Sequence, residues 1–152
     1  MNTRVAVVGV GNILLKDEGI GIHVVRALRE VIGNRTDVEL IDGGTSPDAL
    51  LGLEAVPRLI LVDATRGGGP PGSIYRFHPS DISVESQSIT SLHQIGLLDS
   101  LKMMQLGGSQ PDDIIIIGVE PKEIDWGMEL SPELMQKLPQ IVREVMKDVA
   151  RG

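Results

Sequence analysis

Short apolar runs alternate along this chain with stretches in which apolar residues recur every three or four positions. The runs at 5–8, 38–41, 59–62 and 114–117 are rich in Val, Ile and Leu and predict strands. Those at 59–62 and 114–117 are apolar throughout, as expected of strands covered on both faces. Between the first two, Ile20, Val24, Leu28 and Val31 form a helical stripe that stops at Gly33-Asn34. Ser46-Pro47-Asp48 predicts an N-cap with proline in the first turn, opening a short helix to about Glu54. Ser91-Leu92-His93 opens another, with Leu97, Leu98 and Leu101 inward and Gly107-Gly108 as its stop. Ser131-Pro132-Glu133 caps a last helix running to about Ala150. Pro139 lies inside it and should kink it by removing a hydrogen bond to the carbonyl of Met135. Residues 67–72, Gly-Gly-Gly-Pro-Pro-Gly, are the strongest loop signal, and 73–78 returns as an edge strand closed by Pro79. Strand-helix alternation of this kind predicts an α/β fold, a parallel sheet with helices on both faces and right-handed crossovers.

The 152 residues fit one domain, 1–152, able to bury a proper core. No apolar run approaches the ~20 residues that span a bilayer, and residues 1–4 lack a signal peptide's cleavage pattern. There is no cysteine, which excludes disulfides, thiolate metal sites and cysteine nucleophiles. A cytoplasmic protein is the default expectation. Net charge is −7, the 14 basic residues form no block, and there is one each of Phe, Tyr and Trp. A nucleic-acid partner needs a basic footprint and often aromatic platforms, so none is expected. With no basic amphipathic stretch, a membrane partner is not expected either. No apolar helix stripe calls for a mate, so a monomer is expected.

The glycine turn after the first strand, Gly9-Val10-Gly11-Asn12, looks like a phosphate loop, but Asp17 and Glu18 follow it. Acids at a helix entrance occupy the field that would attract a phosphate and would repel one. They suit a cation instead. In an open α/β sheet the site lies outside the carboxyl ends of the strands. Asp42 and Asp63 end the second and third strands there, and Glu18 lies at the same edge. His93, opening a later helix, could join them. Two carboxylates and a histidine with open positions make a site for a borderline divalent metal.

Each residue also has a plainer reading. Glu18 can serve only a helix dipole, worth about 0.3–1 kcal/mol, and spacing alone does not choose between it and Asp17. Asp42 can cap or turn before Gly43-Gly44. Asp63 is harder to set aside, because a charge directly after a buried strand needs a partner. His93 can be a first-turn polar residue. His23 and His78 read as structural or solvated, and Trp126 as either a core residue or a partner contact.

Five ordered blocks then match a known family. They are Gly9-Val-Gly-Asn12-Ile-Leu-Leu-Lys-Asp17-Glu18-Gly-Ile-Gly21; Asp42-Gly-Gly-Thr45; Val62-Asp63-Ala64; Ser91-Leu-His93-Gln94; and the late pair Gly118-Val-Glu-Pro121 and Leu130-Ser-Pro132. Together they resemble the NiFe-hydrogenase maturation endopeptidases (peptidase family M52) over essentially the whole chain, without a clear departure at these positions. The fold this resemblance implies is a three-layer sandwich, phosphorylase/hydrolase-like, with a twisted, mostly parallel five-stranded sheet between helices. The activity it implies is an aspartyl-type endopeptidase activity that removes a C-terminal extension from a NiFe-hydrogenase large-subunit precursor after nickel insertion. By position, Glu18, Asp63 and His93 match the family's metal-contacting residues, which favours Glu18 over Asp17. Asp42 matches a motif tied to cleavage.

The implied metal is nickel carried by the substrate, with no tightly held metal of the chain's own. That agrees with the lack of His-Glu-x-x-His, cysteine ligands and a Gly-x-Ser-x-Gly elbow. Partner specificity is expected in the loops 66–72, glycine-rich and expected to be mobile, and 120–129. Three other readings compete. A Rossmann-like nucleotide binder is opposed by Leu14 where a third small residue is expected. A peptidyl-tRNA hydrolase is opposed by the acidic charge balance. A non-catalytic sensor of nickel loading would bind the precursor without cutting it.

Overall fold

The computed structural model describes residues 3–45, 53, 56–81, 90–91 and 111–151. Its strands are β1 (Val5–Val10), β2 (Val38–Gly44), β3 (Arg58–Arg66), β4 (Ile74–Phe77), β5 (Thr90–Ser91) and β6 (Asp113–Val119). Its helices are α1 (Ile20–Ile32) and α2 (Pro132–Ala150), with 3-10 turns at Lys16–Gly19 before α1 and at Pro79–Asp81 after β4. The helix predicted from Ser46 to about Glu54 lies outside the described residues except at Leu53, and the one predicted from Ser91 to Gly107 does so except at Ser91.

The sheet runs β2-β1-β3-β6-β4. β1 is parallel to both β2 and β3, β3 is parallel to β6, and only the edge strand β4 is antiparallel. This is the five-stranded, mostly parallel sheet that the family resemblance implied, with the short β5 pairing with β3 off its main path. The sheet's residues alternate between two cores. Val5, Val7, Ile60, Val62, Ile115 and Ile117 face α1 and α2. Ala6, Val8, Leu59, Leu61 and Ile116 face away from them, against Leu53, Val56 and Phe77. Burial on both faces is why β1 can be apolar throughout.

The strands are longer than their apolar runs. β3 continues through Asp63, Ala64, Thr65 and Arg66 because β6 supplies partners, Asp63 with Gly118 and Ala64 with Val119. The two-residue β5 then pairs Ser91 with Thr65 and Thr90 with Arg66. Asp63 is therefore inside a strand, not beyond its end, as Asp42 is inside β2. Ser91, expected to open a helix, belongs to β5.

In α1 the predicted stripe is buried at Ile20, Val24 and Leu28, and the buried face extends to Gly21, Ile22, Val25 and Ile32. Val31, expected inward, is 55% exposed, whereas Ile32 is 6% exposed. Ile32→Ala should therefore cost about 2–3 kcal/mol, while Val31→Ala should stay within about 0.5 kcal/mol of wild type. Urea unfolding of the two variants distinguishes them. In α2, Ser131 accepts a hydrogen bond from Leu134 N at 3.4 Å, the expected cap, with Pro132 in the first turn. The helix continues through Pro139 to Ala150.

Before β2, Arg35 donates to both oxygens of Asp37 at 3.0 and 3.1 Å. The hydrogen bond from Arg35 is the main reason the Asp37 pKa drops from 3.8 to about 2. A carboxyl lowered on folding stabilises the fold above its unfolded pKa, and that share is lost as pH falls through the folded value. Asp37→Asn should thus flatten the stability profile between pH 3.8 and about 2 and leave its shape above pH 5 unchanged. Chemical denaturation across that range checks this.

Candidate functional site

The site begins where β1 hands over to α1. Gly9 and Gly21 let strand and helix touch backbone to backbone: a Cβ on Gly9 would run into the carbonyl of Gly21, and one on Gly21 into that of Val62. The phosphate-loop look of this turn thus has a packing cause. Asn12 Oδ1 accepts from Leu14 N at 2.9 Å, an Asx turn that bends the chain into the 3-10 turn carrying Asp17 and Glu18.

The two acids, inseparable by spacing, have different surroundings. Asp17 is fully buried. Its Oδ1 accepts from Ser131 N at 2.8 Å. Its Oδ2 accepts from Ser131 Oγ at 2.7 Å and from Lys122 N and Glu123 N at 2.8 Å each. These bonds compensate the cost of burying a carboxylate and occupy both its oxygens. Asp17 is therefore an internal anchor. Glu18 is only partly buried.

Parallel pairing in register brings the other candidates to the same edge. Asp42 and Val62 both pair with Gly9, and Asp63 follows one position later. Successive strand residues point to opposite faces. Asp42 thus lies in the row facing α1 and is exposed, whereas Asp63 belongs to the opposite row and is fully buried. The two aspartates share an edge but not a face. Asp63 Oδ1 accepts from Ala64 N at 2.8 Å. His93 lies outside the described residues. Among the described residues, no three His, Asp or Glu side chains are grouped to hold a metal ion.

The other histidines agree with structural or solvated roles. His78 is exposed, its Nδ1 2.9 Å from Ile114 O. His23 is half-buried, and burial, followed by the charge of Arg26, lowers its pKa below 6.5.

Two loops flank this edge. Residues 66–72, expected to be mobile, are held at several points. Glu120 Oε1 accepts from Gly67 N at 2.8 Å and from the Tyr75 hydroxyl at 2.7 Å. That hydroxyl accepts from Gly69 N at 3.0 Å, and Gly72 N donates to Glu120 O at 2.9 Å. Burial and the bond to Glu120 raise the Tyr75 pKa above 10. The loop 120–131 carries Trp126, which is 77% exposed and so not a core residue. Met128 and Leu14, on the two sides of a bridge through Gly127, are also exposed, at 59% and 47%. No described helix is long and apolar enough to cross a membrane.

An open α/β sheet with Asp42 and Asp63 near the carboxyl ends of β2 and β3, and the Glu18 turn beside them, has the architecture in which α/β proteins place their sites at the βα turns. The profile of the hydrogenase maturation protease family (HycI) matches residues 22–148. The hydrogenase 2 maturation protease of Escherichia coli K12 is 32% identical over 145 residues, spanning 94% of this chain and 88% of that protein. Among solved structures, the hydrogenase maturating endopeptidase HybD from E. coli superposes with a TM-score of 0.79 at 32% identity, covering 97% of this chain and 92% of that one. The [NiFe] hydrogenase maturation protease HybD from Thermococcus kodakarensis gives 0.80 at 29% identity, covering 98% and 100%. This chain belongs to the hydrogenase maturation protease family, whose members are peptidases.

Proposed function

We propose that this chain removes a C-terminal extension from a NiFe-hydrogenase large-subunit precursor once nickel has been inserted. In this reading Glu18, Asp63 and His93 contact the nickel, which is part of the substrate. The observation that carries it is the in-register parallel pairing of β1 and β3. That pairing brings Asp63 to the edge from which the Glu18 turn emerges, in a chain of this peptidase family. Hard oxygen ligands and an imidazole suit a borderline divalent cation. The sequence has no cysteine and no serine elbow to supply a nucleophile, which fits cleavage assisted by the substrate's own metal. Contact with the nickel would position the peptide and polarise a carbonyl or water. Asp63 has no exposed surface in the free chain, so the reading requires its cover to open as the precursor docks. The loops 66–72 and 120–129 flank this edge and would read the precursor's surface.

Binding of nickel-loaded and nickel-free precursor to the immobilised chain tests the reading. Tighter binding of the loaded form, lost in Glu18→Ala, Asp63→Ala and His93→Ala, is expected; equal binding of both forms would overturn it. Asp42, exposed on the α1 side, is assigned the orientation of water or of the scissile peptide. Asp42→Ala should keep nickel-dependent binding and slow cleavage by about 10²-fold. Normal cleavage by that variant would remove Asp42 from the mechanism.

A further inference from the structure

We propose that Asp17 is a positioning residue for this reaction, locking the turn that bears Glu18 to the loop that bears Trp126. The proposal rests on the reading of Glu18 as a contact to the substrate's nickel. Asp17 precedes β2 and all later strands in the chain, yet all four of its side-chain hydrogen bonds go to residues 105 to 114 positions away. Those partners lie between β6 and the start of α2, Ser131 being the cap of α2.

β1 and β6 are not neighbours: β3, the strand of Asp63, lies between them. The Asp17 link therefore spans the carboxyl end of β3, tying the turn after β1 to the loop after β6. Backbone bonds run beside it. Asp17 N donates to Glu123 O at 3.1 Å, Lys16 N to Gly127 O at 2.8 Å, and Gly127 N to Leu14 O at 2.9 Å. Lys16 Nζ pairs with Glu123 at 2.8 Å. With Asp63 held in the β3–β6 ladder and the neighbour of Glu18 held to the chain beyond β6, the backbone segments bearing the two carboxylates are fixed relative to one another. Groups that act on one centre must be held in this way by a supporting shell.

A stabilising role alone would leave every folded molecule fully competent. A positioning role would alter what folded molecules do. The readout is therefore the ratio of affinities for nickel-loaded and nickel-free precursor, measured on the full chain and corrected for the folded fraction by circular dichroism. Asp17→Asn keeps the side chain's size but sets an amide NH2 against converging donors. It should lower the ratio by about 10–100-fold, as loss of a supporting partner does at metal sites. Binding of nickel-free precursor should stay within about threefold of wild type, which is about 0.65 kcal/mol.

An unchanged ratio in Asp17→Asn, with the ratio lost in Glu18→Gln, would overturn the positioning role and leave the reading of Glu18 standing. A wild-type ratio in Glu18→Gln would overturn both. If Asp17→Asn does not fold, Ser131→Ala removes only the hydroxyl donor to Asp17 and the cap bond to Leu134. A lowered ratio in that variant supports the positioning role, and an unchanged ratio overturns it. Emission of Trp126, the single tryptophan, gives a second signature. Its fluorescence anisotropy should fall in Asp17→Asn while α-helical ellipticity is kept, and unaltered anisotropy would contradict the coupling of turn and loop.

Discussion

Glu18→Gln should slow removal of the C-terminal peptide by about a thousandfold while leaving the fold intact. The substitution keeps the side chain's size and removes the charge. If Glu18 contacts the substrate's nickel, that charge is what holds the metal against the reacting peptide, and losing such an electrostatic contact costs about 10²–10³ in rate. Glu18 is only partly buried, and the turn beneath it is held by Asp17 and by the bonds to Glu123 and Gly127. Stability should therefore change by less than about 1 kcal/mol. Initial rates on nickel-loaded precursor, paired with urea unfolding of the same sample, read both quantities. A Glu18→Gln enzyme within about tenfold of wild type would remove Glu18 from the chemistry.

Gly21→Ala should have the largest effect on stability. A Cβ at this position would meet Val10 O at 2.7 Å, Val10 N at 2.8 Å and, closer still, the carbonyl of Val62. These are backbone atoms of β1 and β3, so no rotamer change relieves the contact. α1 would have to lift from the sheet, opening the core that Val24, Val25 and Leu28 share with Val7, Ile60 and Val62. Overpacking of a fitted core costs about 1–3 kcal/mol where side chains can give way, and here they cannot, so a loss above about 3 kcal/mol is expected. For a chain of this size that lowers the melting temperature by about 10 °C. A thermal melt within about 2 °C of wild type would show that strand and helix are not so closely apposed.

The sheet was legible because β1, β3 and β6 are apolar enough to need cover on both faces. The order of carboxylates along its edge followed from the topology. The ends of the strands were not legible. Asp63, Thr65 and Arg66 look like loop in the sequence, and only pairing with β6 and β5, remote in the chain, makes them strand. The inward face of α1 was legible at Ile20, Val24 and Leu28, and only its last position differed. Val31 and Ile32 are both apolar, and only packing against the sheet selects Ile32.

Asp17 and Glu18 could not be separated by spacing, because what distinguishes them is a set of donors beyond β6. The family resemblance favoured Glu18, and the hydrogen bonds of Asp17 give a physical reason to set the neighbour aside. Alternation along β2 and β3, applied once the register was known, put Asp42 and Asp63 on opposite faces, which sequence spacing could not show. The glycine loop 66–72 reads as unconstrained in the sequence, yet Glu120 and Tyr75 hold it through side chains 45 residues apart.

The central claim is that nickel in the precursor licenses cleavage by this chain. Its most direct test is the intact mass of a large-subunit precursor from the same genome, incubated with the chain in nickel-loaded and nickel-free form. Loss of a C-terminal peptide from the loaded precursor alone is the expected result. Loss of the peptide from both forms, or from neither, would contradict it.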